Sequence, residues 1–293
     1  FGKLYRSVSS DLIRARTELV DASVVDYLND LVARSYAQIH AGGGGRARKL
    51  WSFFLEEYPR LVRAEWKAIV ISAALMMSGS VVGAAAVAYD RDAMGVLMPE
   101  MFHDHAEMTP SERVRRDEAR GAQGWDDGAS FSSMLFTNNI KVTFIVFAMG
   151  ITLGVGTATM LFYNGIPLGA LAMEYHQDGQ GLFFWAWILP HGIPELTSIF
   201  VGGGAGLLLA RGLLLPRRRR RIDALVHEAR RAAKLVVGTM PVLIVAGLIE
   251  GTISQIHEPV VPYAVKLVFA GLVGAGLYAW LFFAGRNAPA AES

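Results

Sequence analysis

The sequence predicts an all-α, polytopic helical membrane protein with an N-terminal cytoplasmic helical segment. Of its 293 residues, 53% are hydrophobic and 18% are charged, whereas soluble domains average roughly 25% charged residues. The apolar residues also form long blocks with almost no ionisable side chains, and several blocks reach the about 20 residues that a helix needs to cross a bilayer. These blocks lack the alternating pattern of a barrel wall. Helices therefore remain as the structure that satisfies the backbone in lipid.

Five apolar blocks organise the chain into regions. The predicted transmembrane bundle, residues 65–286, contains the blocks 66–89, 140–163, 181–215, 235–256 and 264–285. Residues 1–64 are predicted to form a cytoplasmic amphipathic helical region, because leucine and valine recur there at near-helical spacing among charged residues. Residues 90–137 are predicted to form an extracytoplasmic loop, in which Thr109-Pro110-Ser111-Glu112 indicates a helix start. Residues 287–293 form a C-terminal tail.

The distribution of basic residues predicts the orientation. Arginine and lysine precede the first block, five arginines occupy positions 217–221, and Arg286 follows the last block. Basic loops favour the cytoplasmic side, which predicts an inner-membrane protein with both termini in the cytoplasm. If blocks 140–163 and 181–215 each cross the membrane once, however, the five arginines lie outside.

A break in the third block would remove this conflict. Pro190 and Pro194 flank His191, Gly192 and Ile193, and two prolines so close together should interrupt a helix. We therefore expect residues 181–215 to form a broken or re-entrant helix pair that enters and leaves the membrane on the same side. Hydropathy leaves a straight five-crossing arrangement open as the alternative.

Several motifs together carry a resemblance to a known family. They are Asn138-Asn139, Asn164-Gly165, Pro190-His191-Gly192 followed by Glu195, the run Gly202 to Gly206, and Glu250-Gly251. In this combination the chain resembles the stage II sporulation protein M family over nearly its whole length. The namesake of that family holds a peptidoglycan-degrading complex at the septal membrane of sporulating bacteria. The resemblance implies a non-enzymatic scaffold that organises cell-envelope partners.

Ionisable residues inside the apolar blocks predict a polar cluster. A charged side chain at the centre of a membrane costs at least about 2.5 to 3.5 kcal/mol, so such residues indicate function. Glu195 lies four residues after His191, while Ser254 and His257 follow Glu250 at positions i+4 and i+7. These five residues are the candidate functional cluster.

Three interpretations of the cluster remain open at the level of the sequence. It forms a polar network that fixes the helices, a site near the midplane of a transporter or channel-like protein, or the metal site of an intramembrane hydrolase. Imidazole and carboxylate suit zinc or a proton relay, but no His-Glu-x-x-His motif is present. We therefore assign no catalytic residue, no metal ligand and no cofactor.

Small and amide side chains predict how the helices meet. Asn138, Asn139 and Asn164 lie at the two ends of block 140–163, where they are predicted to cap helices and to bond neighbouring helices, with contact to a ligand as the alternative. Gly150, Gly154 and the run 202–206 permit close helix approach within the chain or in a homodimer. The expected partners are the lipid bilayer and other membrane or cell-envelope proteins. Nucleic acid is excluded, because the arginine run lies between membrane blocks.

Overall fold

The computed structural model describes residues 2–17, 21–40, 42–98, 108–120, 125–216 and 220–286. Nearly all of these residues are helical, and these ranges contain no strand. The α-helices are α1 (Gly2–Thr17), α2 (Ala22–His40), α3 (Gly42–Ser52), α4 (Tyr58–Ala64), α5 (Trp66–Tyr89), α6 (Ala93–Leu97), α7 (Pro110–Arg120), α8 (Trp125–Ala148), α9 (Val155–Gln177), α10 (Gly181–Leu214), α11 (Arg221–Glu250) and α12 (Tyr263–Phe283). A π-helical turn, Phe53–Glu57, precedes α4.

Residues 1–55 form a compact unit of their own. Helices α1 and α2 pack against each other, and Arg16 donates a hydrogen bond to Asn29 Oδ1 at 3.0 Å. Leu12 and Ala15 are buried, whereas Ile13 is exposed. This alternation at helical spacing is that of amphipathic helices.

The second unit begins at Glu56, earlier than the predicted boundary at residue 64. Helix α4 belongs to the bundle because the ring of Tyr58 is buried against Gly238 and lies 5.5 Å from the ring of Trp280. A Cβ at Gly238 would overlap the Tyr58 ring. The sequence analysis assigned α4 to the cytoplasmic region because basic residues surround it. Basic residues are typical of a segment that precedes a membrane helix, so the packing of Tyr58 was not predicted.

Helices α5 and α9 run parallel in close contact. Gly79 and Gly83 lie against the carbonyl groups of Phe162 and Ile166, and any side chain at either glycine would overlap those carbonyls. Gly165 makes the reciprocal contact with α5. Close helix packing at this interface therefore depends on glycines other than those that the sequence analysis selected for that role.

The prediction that residues 140–163 form one apolar crossing is wrong. Helix α8 ends at Ala148, the 3-10 turn Met149–Ile151 follows, and α9 begins at Val155. Leu153 and Gly154 have φ values of 58° and 84°, so the chain reverses there. Hydropathy missed the reversal because the turn itself is apolar. Residues 125–137, predicted to be part of a loop, are the first half of α8.

The predicted interruption of residues 181–215 is also wrong, since α10 is one continuous helix that contains both Pro190 and Pro194. Each proline lacks an N–H and leaves one backbone carbonyl of the preceding turn without its usual donor. Both prolines are buried. Of an 18-residue apolar stretch of α10, 78% is buried within the bundle. Packing by neighbouring helices thus holds the segment helical, as it does in other membrane helices that contain proline.

The extra reversal at residues 149–154 accounts for the charge pattern without any re-entrant segment. Arg211 near the end of α10 pairs with Glu65 at the start of α5, and Gly150 lies against Gly206. Arg63 donates to the carbonyl oxygen of Leu281 near the end of α12. The beginning of α5, the 149–154 turn, the end of α10 and the end of α12 therefore share one end of the bundle, here called the basic end. Arg217, Arg218 and Arg219 lie outside the described residues.

A buried ion network ties the helices together at the basic end. The carboxylate of Glu65 is 5% exposed and accepts from Arg211 at 2.9 Å. Arg231 of α11 pairs with the same carboxylate, and Arg211 also pairs with Glu228 at 2.6 Å. Two guanidinium groups thus neutralise the charge of Glu65 and join α5, α10 and α11.

The opposite end of the bundle contains α7, which starts where the sequence predicts. The backbone N–H and the hydroxyl of Thr109 donate to the Glu112 carboxylate at 3.0 and 2.9 Å. These bonds, the backbone one first, lower the pKa of Glu112. Tyr263 at the start of α12 donates to Glu118 at 2.6 Å, which holds α7 on the bundle.

Four described helices are long and apolar enough to span a membrane, and they are Trp66–Tyr89, Gly181–Leu214, Arg221–Gln255 and Tyr263–Phe283. A shorter apolar stretch, Phe136–Ile151, ends at the reversal. The protein is therefore an all-α polytopic membrane protein, as the sequence predicts.

Candidate functional site

The predicted polar cluster lies in the interior of the bundle, where α10, α11 and α12 meet. His191 Nδ1 of α10 lies 2.9 Å from the Ser254 hydroxyl, just after α11. Lys266 of α12 donates to the backbone oxygen of the same serine at 3.0 Å. Ser254 therefore links an imidazole to a lysine, and both His191 and Lys266 are buried.

The two carboxyl groups of the cluster are Glu195 and Glu250. Glu195 is 5% exposed and Glu250 is fully buried. Glu195 Oε2 accepts a hydrogen bond from Asn139 Nδ2 at 2.6 Å, which joins α10 to α8. Its other oxygen, Oε1, is buried and has no hydrogen-bond partner among the described residues. Glu250 is close enough for an electrostatic interaction with Glu195.

His257 lies in the connection between α11 and α12 and is also buried. Its ring stacks on Phe183 with centroids 5.4 Å apart and an interplanar angle of 16°. Lys266 interacts electrostatically with both His191 and His257. The structure thus brings all five predicted cluster residues into one region.

The asparagines do not cap helices, because Asn138 and Asn139 lie inside α8 and Asn164 lies inside α9. The predicted caps are wrong because block 140–163 is not a helix with ends at these residues. Asn139 bonds Glu195 of another helix, as the second half of that prediction expects. Asn164 donates to the carbonyl oxygen of Met160 in its own helix at 2.7 Å.

A cavity of about 290 Å³ lies between α5, α8, α9 and α10. Its polar lining comes from the family motifs, namely Asn138, Asn139, Asn164, His191 and Glu195. The rest of its lining includes Met76, Tyr163, Pro167, Leu168, Trp187, Gly192, Leu196 and Ile199. The consecutive helices α8, α9 and α10 therefore direct polar groups into one space, which α5 closes with Met76.

Three other motif residues do not line this space. Gly165 packs against α5 and Pro190 is buried in α10, so both lie in helices that border the cavity. Gly251 ends α11, where its N–H donates to Gly247 O at 2.9 Å.

Lys266 is the cluster residue that sequence reasoning missed. It interrupts the apolar block 264–285 and is fully buried. The criterion that selected Glu250, an ionisable residue within an apolar block, selects Lys266 equally well.

A metal-dependent hydrolase needs several side chains converging on one ion. Within the described ranges, no group of three His, Asp or Glu residues is placed to hold a metal. The cluster instead mixes two carboxyls with a lysine, two imidazoles, a hydroxyl and amides. That composition suits hydrogen bonding and charge balance better than metal ligation.

Comparison with known proteins agrees with this geometry. The family described as Stage II sporulation protein M matches residues 72–255, and a domain of unknown function matches residues 1–41. An uncharacterized protein of Methanocaldococcus jannaschii is 31% identical over 123 residues, which cover 41% of this chain and 68% of that relative. No solved structure matches. The first match spans well over half of the chain and every residue that lines the cavity. The chain therefore belongs to the stage II sporulation protein M family.

Proposed function

We propose that the protein is a transporter-like membrane protein that binds a small polar solute in the cavity between α5, α8, α9 and α10. The observation that carries this proposal is Glu195, whose Oε1 is buried at the cavity without a hydrogen-bond partner among the described residues. A buried polar atom that lacks a partner costs about 1 to 3 kcal/mol, and more when it is charged. A bound solute would remove that cost.

The shape of the site supports solute binding. A volume of about 290 Å³ is close to the lower end of the 300–1,000 Å³ that is typical of ligand pockets. The cavity combines apolar walls with a few convergent polar groups, which is the usual composition of such pockets.

Helix α10 offers a place where the bundle could open around the solute. Pro190 and Pro194 lack N–H groups, so α10 has two fewer backbone hydrogen bonds at the level of the cavity. Helices bend most readily at such points. Gly192, between the two prolines, lines the cavity.

Thiol labelling tests whether water reaches the cavity. The chain has no cysteine, so a single cysteine is the only reactive thiol in each variant. We expect Leu196→Cys, in the cavity wall, to react with a small water-soluble methanethiosulfonate reagent in lipid nanodiscs. The matched control is Leu272→Cys, at a position 68% exposed on the outer surface of α12, where lipid should exclude the reagent.

The proposal requires Leu196→Cys to react many times faster than Leu272→Cys, because the thiolate forms only where water is present. Equal, very slow reaction at both positions would mean a sealed polar network and would overturn the solute site. Fast reaction at both would mean that the nanodisc does not shield the outer surface of the bundle. Slow reaction of Val268→Cys, at a second outward position, checks that shielding independently.

A membrane scaffold is the second candidate function. Family membership supports it, and so do the large apolar side chains that the N-terminal unit exposes, such as Leu4, Ile13 and Tyr27. In this proposal, residues 1–55 recruit cell-envelope partners without turnover. Replacing Glu195 and Glu250 with glutamine should leave a scaffold fully functional in the cell, whereas it should abolish solute binding.

We further propose that the basic end faces the cytoplasm of the inner membrane, since Arg60, Arg63 and Lys67 lie near it. Membrane-impermeant maleimide should label Asp92→Cys, at the opposite end, in intact cells. It should label Ile151→Cys, in the reversal, only after permeabilisation. The reverse pattern would invert the orientation, and failure to label Ile151→Cys under either condition would contradict the reversal itself.

A further inference from the structure

The cavity offers hydrogen-bond acceptors to a ligand. Asn139 directs Nδ2 to Glu195 Oε2 at 2.6 Å, and Asn164 directs Nδ2 to Met160 O at 2.7 Å. Both partners are acceptors, which fixes the orientation of each amide and leaves its oxygen as an acceptor. Oε1 of Glu195 is a buried acceptor that has no hydrogen-bond partner among the described residues. That atom calls for a donor on the ligand.

The charge of Glu195 points the same way. Glu195 is 5% exposed, and the described hydrogen-bond partner of its carboxyl group is the neutral amide of Asn139. An ionised Glu195 would therefore place a negative charge in an apolar bundle with no counter-charge bonded to it among the described residues. A buried charge without compensation is strongly unfavourable, so this carboxyl group requires either a proton or a bound cation.

Resting on the proposed solute site, we propose that the ligand is a small organic cation with an ammonium group, and that it binds in exchange for a proton held by the cluster. The ammonium group would donate to Glu195 Oε1 and to the asparagine oxygens. Tyr163 and Trp187 also line the cavity, and aromatic faces attract cations at close range. A volume of about 290 Å³ restricts the organic part to a small molecule.

The exchange balances one charge for one charge. The cation enters, the carboxylic acid of the cluster releases its proton to water, and the carboxylate and the ammonium form an ion pair. No covalent bond changes. Asn139 of α8 bonds Glu195, Tyr163 of α9 and His191 of α10 line the same cavity, and Glu250 of α11 interacts with Glu195 electrostatically. On the far side of His191 lie Ser254 and His257 of the α11–α12 connection and Lys266 of α12.

Calorimetric titration tests this exchange. Methylammonium and 2-aminoethanol are titrated into the purified protein in nanodiscs, with ethylene glycol and acetate as the neutral and anionic comparisons. Titrations in two buffers with different ionisation enthalpies give the number of protons released. We expect about one proton per bound cation on the acidic side, where affinity should rise about tenfold per pH unit. We expect no binding of ethylene glycol or acetate.

Variants separate the exchange site from general effects. Glu195→Gln should abolish both cation binding and proton release, whereas Glu195→Asp should keep proton release with weaker binding. The matched control, Asp223→Asn, removes an exposed carboxylate at the start of α11 and should change neither. A thermal unfolding scan of each variant checks that it is folded.

Several results would overturn the inference. They are binding of ethylene glycol as tight as that of the ammonium probes, cation binding without proton release, unchanged binding in Glu195→Gln, or no binding of either ammonium probe at high millimolar concentration. If Leu196→Cys still reacts with the thiol reagent in those cases, the solute site stands and only its ligand class is wrong. If Leu196→Cys is also inert, the proposed function fails with it.

Discussion

Glu65 at the basic end and Glu195 at the cavity are equally buried, each 5% exposed, but their surroundings differ. Two guanidinium groups, of Arg211 and Arg231, pair with Glu65. Glu195 has one neutral amide, Asn139, and one oxygen without a hydrogen-bond partner in the described part of the chain. Burial alone therefore does not distinguish a structural carboxylate from a functional one. The distinction lies in whether the protein itself neutralises the charge.

This contrast assigns different tasks to the two regions. At the basic end the ion network joins helices, because each member needs the others to remain in the apolar bundle. At the cavity, a proton or a bound cation must complete the charge balance. The first region should then lose stability when its acid is removed, and the second should lose binding.

The largest expected effect comes from replacing one of these two acids, Glu65, with glutamine, and the same substitution at Glu195 is the comparison. Glu65→Gln leaves Arg211 and Arg231 without their buried partner, and we expect it to lower the free energy of unfolding by about 2 to 3 kcal/mol, somewhat less than for fully buried pairs because both arginines are one-third exposed. Glu195→Gln should leave stability unchanged or raise it slightly, since neutral glutamine needs no counter-charge. Denaturant unfolding in detergent micelles measures both. Equal losses in the two variants would break the contrast.

Lys266 provides a second test of charge balance in the cluster. Lys266→Met removes the buried ammonium group that donates to the backbone oxygen of Ser254, in the same cluster as the buried acids Glu195 and Glu250. We expect it to cost about 2 kcal/mol of unfolding free energy, because two acids then remain buried together. Adding Glu250→Gln should recover at least about 1 kcal/mol of that loss. Strictly additive losses in the double variant would show that Lys266 does not compensate Glu250.

The sequence predicted the helical class, because backbone exposed to lipid must form its own hydrogen bonds and long apolar blocks therefore indicate helices. It predicted the residues of the cluster, because an ionisable residue within an apolar block is costly and can be recognised from the sequence alone. The prediction of a single crossing over residues 140–163 was wrong at residues 149–154. The turn there consists of apolar residues, so hydropathy does not distinguish it from the helices on either side. The reversal depends on Leu153 and Gly154 adopting positive φ values. A conflict with the arginine run did reveal that a crossing was missing. The sequence argument then placed the correction at Pro190 and Pro194 rather than at the turn.

The cavity was beyond sequence reasoning for a different reason. Its existence depends on four helices failing to fill the space between them, which is a property of packing in three dimensions. Asn139 and Asn164 were read as caps because the reversal was unknown. Once α8 and α9 are separate helices, both asparagines fall in their interiors. Lys266, by contrast, was available to the same criterion that found Glu250.

Asn139 should show a moderate effect that sharpens the contrast. Asn139→Ala removes the donor to Glu195 Oε2, so the whole carboxyl group is left without a described hydrogen-bond partner. We expect a loss of about 1 kcal/mol. In the double variant with Glu195→Leu the loss should be smaller, because no acceptor remains to be satisfied. The unfolding free energies of the two single variants and the double variant give this coupling directly, and a coupling near zero would mean that the bond contributes nothing.

The smallest effect belongs to an ion pair that resembles those of Glu65 in chemistry but not in burial. Lys234 pairs with Glu57 at the basic end, and the two side chains are 52% and 41% exposed. Water solvates both partners when the pair is broken, so Lys234→Met should change the unfolding free energy by less than about 1 kcal/mol. Raising the salt concentration should reduce even that difference, while the effect of Glu65→Gln should persist because buried pairs are screened less. A loss from Lys234→Met as large as that from Glu65→Gln would mean that proximity of opposite charges, rather than burial, decides which ion pairs hold this bundle together.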